Sequence, residues 1–197
     1  HKNCEKLMPL IHLPVQSGSN KVLQEMNRKH SIEEYLEVIE KVKKAKPNIE
    51  FSSDFIIGYP GETHQDFEKT IDLMNNVKFV NSFSFIYSAR PGTPAYHLSN
   101  VSHEDAKKRL LTFQKIAEKI KAKFRNNLIN KISRVLFENK TKTENEYFGR
   151  DEYFNSVIVR SSVNLIGKIK NIKVLEINQN TLFGEVVPNL NQKDYAA

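Results

Sequence analysis

The sequence predicts an α/β unit built on parallel strands, followed by a small all-β unit. Two observations carry this reading. Within the first hundred residues an apolar run, a turn and a helical pattern follow one another three times, and that succession builds parallel strands joined by right-handed crossovers. From about residue 131 the texture changes to short alternating stretches separated by turn residues, as in a small antiparallel barrel or sandwich.

The first run, Met8-Pro-Leu-Ile-His-Leu-Pro-Val15, ends in the turn Gln16-Ser-Gly-Ser19. Val22, Leu23 and Met26 then share a helical face. Ser31 with Glu34 forms a capping box, and Tyr35, Leu36, Ile39 and Val42 continue an apolar stripe. The second run, Phe51 to Tyr59, ends in Pro60-Gly61-Glu62. Thr63 with Asp66 opens the next helix, which carries Phe67, Ile71, Met74 and Val77. The third run, Phe83-Ser-Phe-Ile-Tyr87, ends in Arg90-Pro-Gly-Thr93, and Ser102 with Asp105 caps a long helix. Runs this continuous in apolar residues predict strands covered on both faces. In such sheets the functional loops follow the carboxyl ends of the strands. Three units are too few to close a barrel. The chain opens at His1 rather than Met, so it reads as a piece of a longer protein with further units upstream.

The helix expected over about 103–127 carries Leu110, Phe113, Ala117, Ile120 and Phe124 on one face. Lys108, Lys115, Lys119 and Lys123 fall on the opposite one. Five short strands are expected over 132–138, 144–150, 156–161, 167–177 and 181–187. The domain boundaries read as 1–126, 127–189 and a loose tail over 190–197.

Composition bounds the function. The 197 residues include 39% hydrophobic and 27% charged residues, enough apolar surface for a core and against wholesale disorder. No apolar run approaches the length of a membrane span. The single cysteine excludes a disulfide framework and cannot by itself hold zinc or an iron–sulfur cluster. The net charge of +7 is uneven: residues 1–103 are neutral, whereas 104–126 hold 8 basic and 3 acidic side chains. Such an excess suits a phosphate-bearing partner or a solvated lysine face.

Each loop taken alone has two readings. Gln16-Ser-Gly-Ser19 offers an amide, hydroxyls and a helix N-terminus for a ligand, or is a turn capped by Ser19. Gly58 leaves its backbone open to a flat ring, or serves a tight turn. Arg90 pairs with a carboxylate or phosphate at the mouth of the sheet, or is an exposed structural arginine. His12 lies inside a strand with no metal-ligating partner nearby in sequence, and Cys4 reads as an ordinary thiol. Paired catalytic carboxylates, a nucleophile elbow and a P-loop are not seen.

Together the loops are far more specific. His12-Leu-Pro-Val-Gln-Ser-Gly-Ser19 with Val22-Leu-Gln-Glu-Met-Asn-Arg28 resembles the fourth barrel strand of the radical S-adenosylmethionine methylthiotransferases. Ser53-Asp-Phe-Ile-Ile-Gly-Tyr-Pro-Gly-Glu-Thr63 is similar to their fifth strand, and Phe85-Ile-Tyr-Ser-Ala-Arg-Pro-Gly-Thr-Pro-Ala95 to their sixth. Residues 128–188, with Phe148-Gly-Arg150 and Leu182-Phe-Gly-Glu-Val186, resemble the appended TRAM domain, a small RNA-binding β-barrel. The resemblance thus implies the C-terminal half of a partial TIM-type (radical SAM) barrel followed by a TRAM barrel. The form of the sixth-strand motif is closest to the branch that acts on N(6)-dimethylallyladenosine in tRNA, with the threonylcarbamoyladenosine branch next.

The resemblance implies a cytoplasmic enzyme that adds a 2-methylthio group to the modified adenosine beside the anticodon. Its cofactors are S-adenosylmethionine and two 4Fe-4S clusters, and its partner is the tRNA anticodon stem-loop. By motif position Gln16 and Ser17 are expected at the ribose or methionine end of S-adenosylmethionine. Ile57 and Gly58 are expected at its adenine, with Tyr87 and Arg90 completing the mouth. The cysteines of both clusters are absent from this chain, so it is expected to be inactive alone and to work with the N-terminal portion of the same enzyme. For RNA the expected contacts are Lys108, Lys115, Lys119 and Lys123 on a helix bridging the two domains, and Lys140, Lys142, Phe148 and Arg150 on the small barrel. Lys168, Lys170 and a stacking Tyr153 are further candidates there. The alternative from another class is a non-catalytic RNA-binding protein with a degenerate half-barrel.

Overall fold

A computed structural model describes residues 1–4 and 6–188; the tail expected over 190–197 lies outside them. The chain forms two compact units, one ending at Lys121 and one beginning at Ala122.

In the first unit the strands are β1 (Leu10–His12), β2 (Glu50–Ile57) and β3 (Asn81–Ile86). They form one parallel sheet in the order β1-β2-β3. The connections are helical, as the sequence pattern requires: α1 (Asn20–Glu25) and α2 (Ile32–Ala45), then α3 (His64–Val77). After β3, a short 3-10 turn over Pro94–His97 leads to the long helix α4 (His103–Asn126). The caps form as predicted. Ser19 caps α1, Ser31 with Glu34 and Thr63 with Asp66 make reciprocal capping boxes, and the Ser102 hydroxyl accepts the Asp105 N–H at 3.0 Å.

A main core joins the sheet to its helices, and a smaller cluster of Val22, Tyr59 and Ala95 lies apart from it. Phe51, Phe55 and Ile57 of β2 pack with Tyr35 and Ile39 of α2, Phe67, Leu73 and Met74 of α3, and Phe113 of α4. Leu110, Ala117 and Ile120 join from α4, the stripe opposite the lysines. Burial on both faces of the sheet is not what forms. Side chains alternate along a strand, and the face carrying His12, Asp54, Ile56, Phe83 and Phe85 has no helix over it. Phe83 is 53% and Phe85 58% exposed. The apolar runs are continuous because both faces need apolar residues, yet helices supply a partner for one face only among the described residues. On the other, His12 bonds Ser52 Oγ at 2.9 Å and lies 3.4 Å from the Asp54 carboxylate.

The second unit is a closed barrel of β4 (Ile132–Lys140), β5 (Glu146–Asp151), β6 (Ser156–Arg160), β7 (Ile169–Ile177) and β8 (Thr181–Val186). Its strand order is β4-β5-β6-β8-β7, antiparallel except for the parallel β6–β8 pair. Val135, Phe137, Tyr147, Val157, Val159, Ile172, Val174 and Leu182 fill the interior from alternating positions. Gly149 and Gly184 face neighbouring strands so closely that a Cβ on either runs into a carbonyl, of Leu136 or Lys173.

Candidate functional site

The carboxyl ends of β1, β2 and β3 gather the predicted cofactor residues. Gln16 continues the sheet past β1: its N–H donates to the Asp54 carbonyl at 3.0 Å, and its carbonyl accepts the Ile56 N–H at 2.9 Å. Its φ of 75° turns the chain into the Ser17–Ser19 loop. That loop is locked onto α3. The Gly18 N–H donates to Thr70 Oγ1 at 2.9 Å, and the Ser19 hydroxyl donates to Asp66 at 2.7 Å. A Cβ at Gly18 collides with the Lys69 carbonyl, so only glycine permits this approach. Burial by itself raises the Asp66 carboxyl. Hydrogen bonds from Ser19 and from the Thr63 side chain and backbone, with Lys21 beside it, outweigh that and bring it down to about 2.

Two of the expected contacts take a different form. Ser17 is fully buried, with its hydroxyl accepting the Ser19 N–H and lying 3.5 Å from Thr70 Oγ1, so it shapes the turn rather than lining the mouth. Ile57 lies in the core, and its carbonyl accepts the Tyr87 N–H at 2.9 Å. Only backbone reaches outward at that point.

Gly58 closes β2 with a φ of 73°. The space left by its missing side chain belongs to α4: a Cβ there sits 2.8 Å from Cβ of Ala106. Its N–H donates to Glu62 Oε1 at 3.1 Å, and Arg109 donates to the same oxygen at 2.7 Å and to the Glu62 carbonyl at 3.0 Å. Burial pushes the Glu62 carboxyl up, against the opposing pull of Arg109 and the Gly58 N–H. Neither Glu62 nor Arg109 is predicted as a site residue by motif alone. The available signal is that Arg109 falls beside the apolar stripe of α4 rather than on the lysine face.

Tyr87 packs edge-on against Tyr59 at 5.1 Å, and its hydroxyl is buried without a hydrogen-bond partner. Arg90 is exposed, with its carbonyl accepting the N–H and hydroxyl of Thr93. An orphaned tyrosine hydroxyl fits a ligand that brings a polar group to these strand ends, whereas Ala106 and Glu62 occupy the opening expected for a flat ring at Gly58. An iron–sulfur cluster does not fit. Cys4 is a free, exposed thiol, and among the described residues no group of three His, Cys, Asp or Glu is arranged around a metal position.

The predicted RNA contacts divide between the units. Lys108, Lys115, Lys119 and Lys123 are all exposed on α4, with Lys108 paired to Glu104 at 2.7 Å. On the barrel, Lys140 is exposed and its ammonium lies 5.5 Å from the Tyr147 ring centre, while Lys142 is exposed. Phe148 and Arg150 are half-buried on the outer face, the guanidinium 5.4 Å from the ring. Tyr153 is not the available stacking ring; it packs edge-on against Phe124 at 5.1 Å. Phe154 beside it is the exposed aromatic.

A parallel sheet with its loops at the carboxyl ends is followed in sequence by a closed five-stranded barrel, the order of parts in which radical SAM and TRAM segments match. Residues 2–74 match the radical SAM superfamily and residues 128–187 match the TRAM domain. It is 51% identical over 193 residues to a tRNA-2-methylthio-N(6)-dimethylallyladenosine synthase of Pelagibacter ubique, covering 98% of this chain and 43% of that protein. Proteins of the same name from Wolbachia pipientis wMel and Ehrlichia canis are 48% and 44% identical, over 93% and 94% of this chain and 43% of each relative. The chain therefore spans somewhat less than half the length of the curated relatives it matches. No helix of the described residues is long and apolar enough to cross a membrane.

Proposed function

We propose that this chain supplies the C-terminal part of a cytoplasmic tRNA methylthiotransferase that places a 2-methylthio group on N(6)-dimethylallyladenosine beside the anticodon. The observation that carries this is the 51% identity running through both units in one order, across 98% of the chain. The half-barrel's strand ends receive one side of S-adenosylmethionine, and the TRAM barrel with the α4 lysines receives the tRNA. The uncovered face of the sheet is then the interior of a barrel completed by the enzyme's N-terminal portion, which also brings the cluster cysteines.

S-adenosylmethionine, when bound, supplies the methyl group and the radical chemistry of this family. The residues of this chain bind and orient. Gln16, buried at the end of β1, turns the chain into the loop at the strand ends, and the Tyr87 hydroxyl has hydrogen-bonding capacity unspent within the protein. Arg90 stands exposed at the same end, suited to a carboxylate. Ser17 and Ile57 hold the loops that present these groups.

Nucleoside mass spectrometry of tRNA after disruption of the gene tests the reading. The expected result is loss of the 2-methylthio nucleoside with accumulation of its N(6)-dimethylallyl precursor. Unchanged nucleosides overturn it. Loss of the methylthio derivative of threonylcarbamoyladenosine instead reassigns the substrate.

A further inference from the structure

The hairpin joining β5 to β6 holds Phe154 in the left-handed region, at a φ of 66°. A bulky side chain has no preference for that conformation, and surrounding structure must impose it. Here a buried carboxylate does so. Asp151 Oδ1 accepts the N–H groups of Tyr153 and Asn155 at 2.9 and 2.8 Å, and Oδ2 accepts the Asn155 amide at 2.9 Å. The backbone closes the same turn, with the Asp151 N–H donating to the Asn155 carbonyl and the Phe154 N–H to the Asp151 carbonyl, each at 3.1 Å. Asn155 is held in turn by Arg125 Nε at 3.1 Å, and the same guanidinium donates to the carbonyls of Gln179 and Asn180.

Asp151, Asn155 and Arg125 are buried, whereas Phe154 is 54% exposed. Its ring lies 5.3 Å from the Arg150 guanidinium, which is also 5.4 Å from the Phe148 ring. Arg150 further donates to the Phe154 carbonyl at 3.5 Å and lies 3.6 Å from the Glu138 carboxylate. Two aromatic rings thus share one planar cation on the outer face of the barrel. The carboxylate beside that cation weakens it as a phosphate binder while leaving its flat face able to stack.

Resting on the RNA-binding reading above, we propose that Phe154, Arg150 and Phe148 form a stacking platform for an unpaired nucleobase of single-stranded RNA. Nucleobases stack on aromatic faces and guanidinium planes whatever their sequence. Beyond its contact with Arg150, Phe154 leaves more than half of its surface exposed, and that surface is buried when a base stacks on it.

The test uses the whole chain, a fluorescent unstructured RNA of about 12 nucleotides, and the same RNA annealed into a duplex. Phe154→Gly relieves the left-handed backbone, so its thermal midpoint is expected to hold or rise. Its affinity for the single strand is expected to fall roughly tenfold, while duplex binding is unchanged and Phe154→Tyr keeps wild-type affinity. Equal single-strand affinity in Phe154→Gly overturns the platform while leaving the RNA reading intact. So does an equal loss for duplex, or a lowered midpoint, which assigns Phe154 to the stability of the barrel. A wild-type chain that binds neither RNA overturns both.

Discussion

Arg109 donates to Glu62 Oε1 at 2.7 Å, joining residues 47 positions apart in an ion pair whose carboxylate side is almost wholly buried. The same oxygen receives the Gly58 N–H. One carboxylate therefore ties the end of β2, its following turn and the first turns of α4 into a single rigid loop. The bare Cα of Gly58 against Ala106 lets the helix come that close.

Arg109→Ala is expected to destabilise the chain by about 3 kcal/mol at neutral pH, because it leaves a buried carboxylate without its cation. Burial already raises the Glu62 carboxyl, and losing the guanidinium raises it further. A carboxyl raised in the folded state contributes stability at low pH that is lost as pH rises. The deficit of the variant should accordingly shrink on acidification as Glu62 takes up a proton. Denaturant titrations at neutral and acidic pH measure it; a deficit independent of pH counts against the carboxylate as its origin.

Asp66 gives the opposite slope. Its folded-state value of about 2 lies below the ordinary 3.8, so its contribution is present above the unfolded value and disappears as pH falls toward about 2. Asp66→Asn should cost on the order of 2 kcal/mol at neutral pH. The wild-type and variant stability curves should converge between 3.8 and about 2. Parallel curves through that window contradict the assignment.

Gly149→Ala and Gly184→Ala each push a methyl into a carbonyl of the adjacent strand. Each substitution should cost upward of about 1 kcal/mol by overpacking. Amide exchange should increase across β4–β5 for the first and β7–β8 for the second. Wild-type protection in both variants means that the strands move apart freely.

Replacing Lys108, Lys115, Lys119 and Lys123 together by Gln should weaken tRNA binding. The slope of log affinity against log salt should flatten by about 0.9 for each phosphate that is no longer neutralised. Lys108 should matter least, because Glu104 lies 2.7 Å away. An unchanged salt slope returns the face to plain solvation.

Much of the fold is legible along the chain because its determinants are local. Capping boxes join residues three positions apart, α4 buries the stripe that its period dictates, and the alternation of β4–β8 places Val135, Phe137, Val157 and Val159 inside. The candidate site is legible only as motifs. That Ser17 turns into α3 and that Ile57 is core cannot be read from spacing, since both depend on the helix packed behind them. Phe154 escapes notice because its exposure comes from hydrogen bonds made by its neighbours.

By itself the sequence determined the order of strands and helices, the change to a second β unit near residue 131, the lysine face and the family resemblance. These rest on periodicity and on residues a few positions apart. The tertiary structure decided which sheet face helices cover, that Ala106 fills the space at Gly58, and that Arg109 reaches Glu62. It also decided that Arg125 and Asp151 present Phe154 outward. Each of these joins side chains brought together only when the chain packs, and a hydrogen bond at 3 Å leaves no trace in the spacing of residues 30 to 55 positions apart.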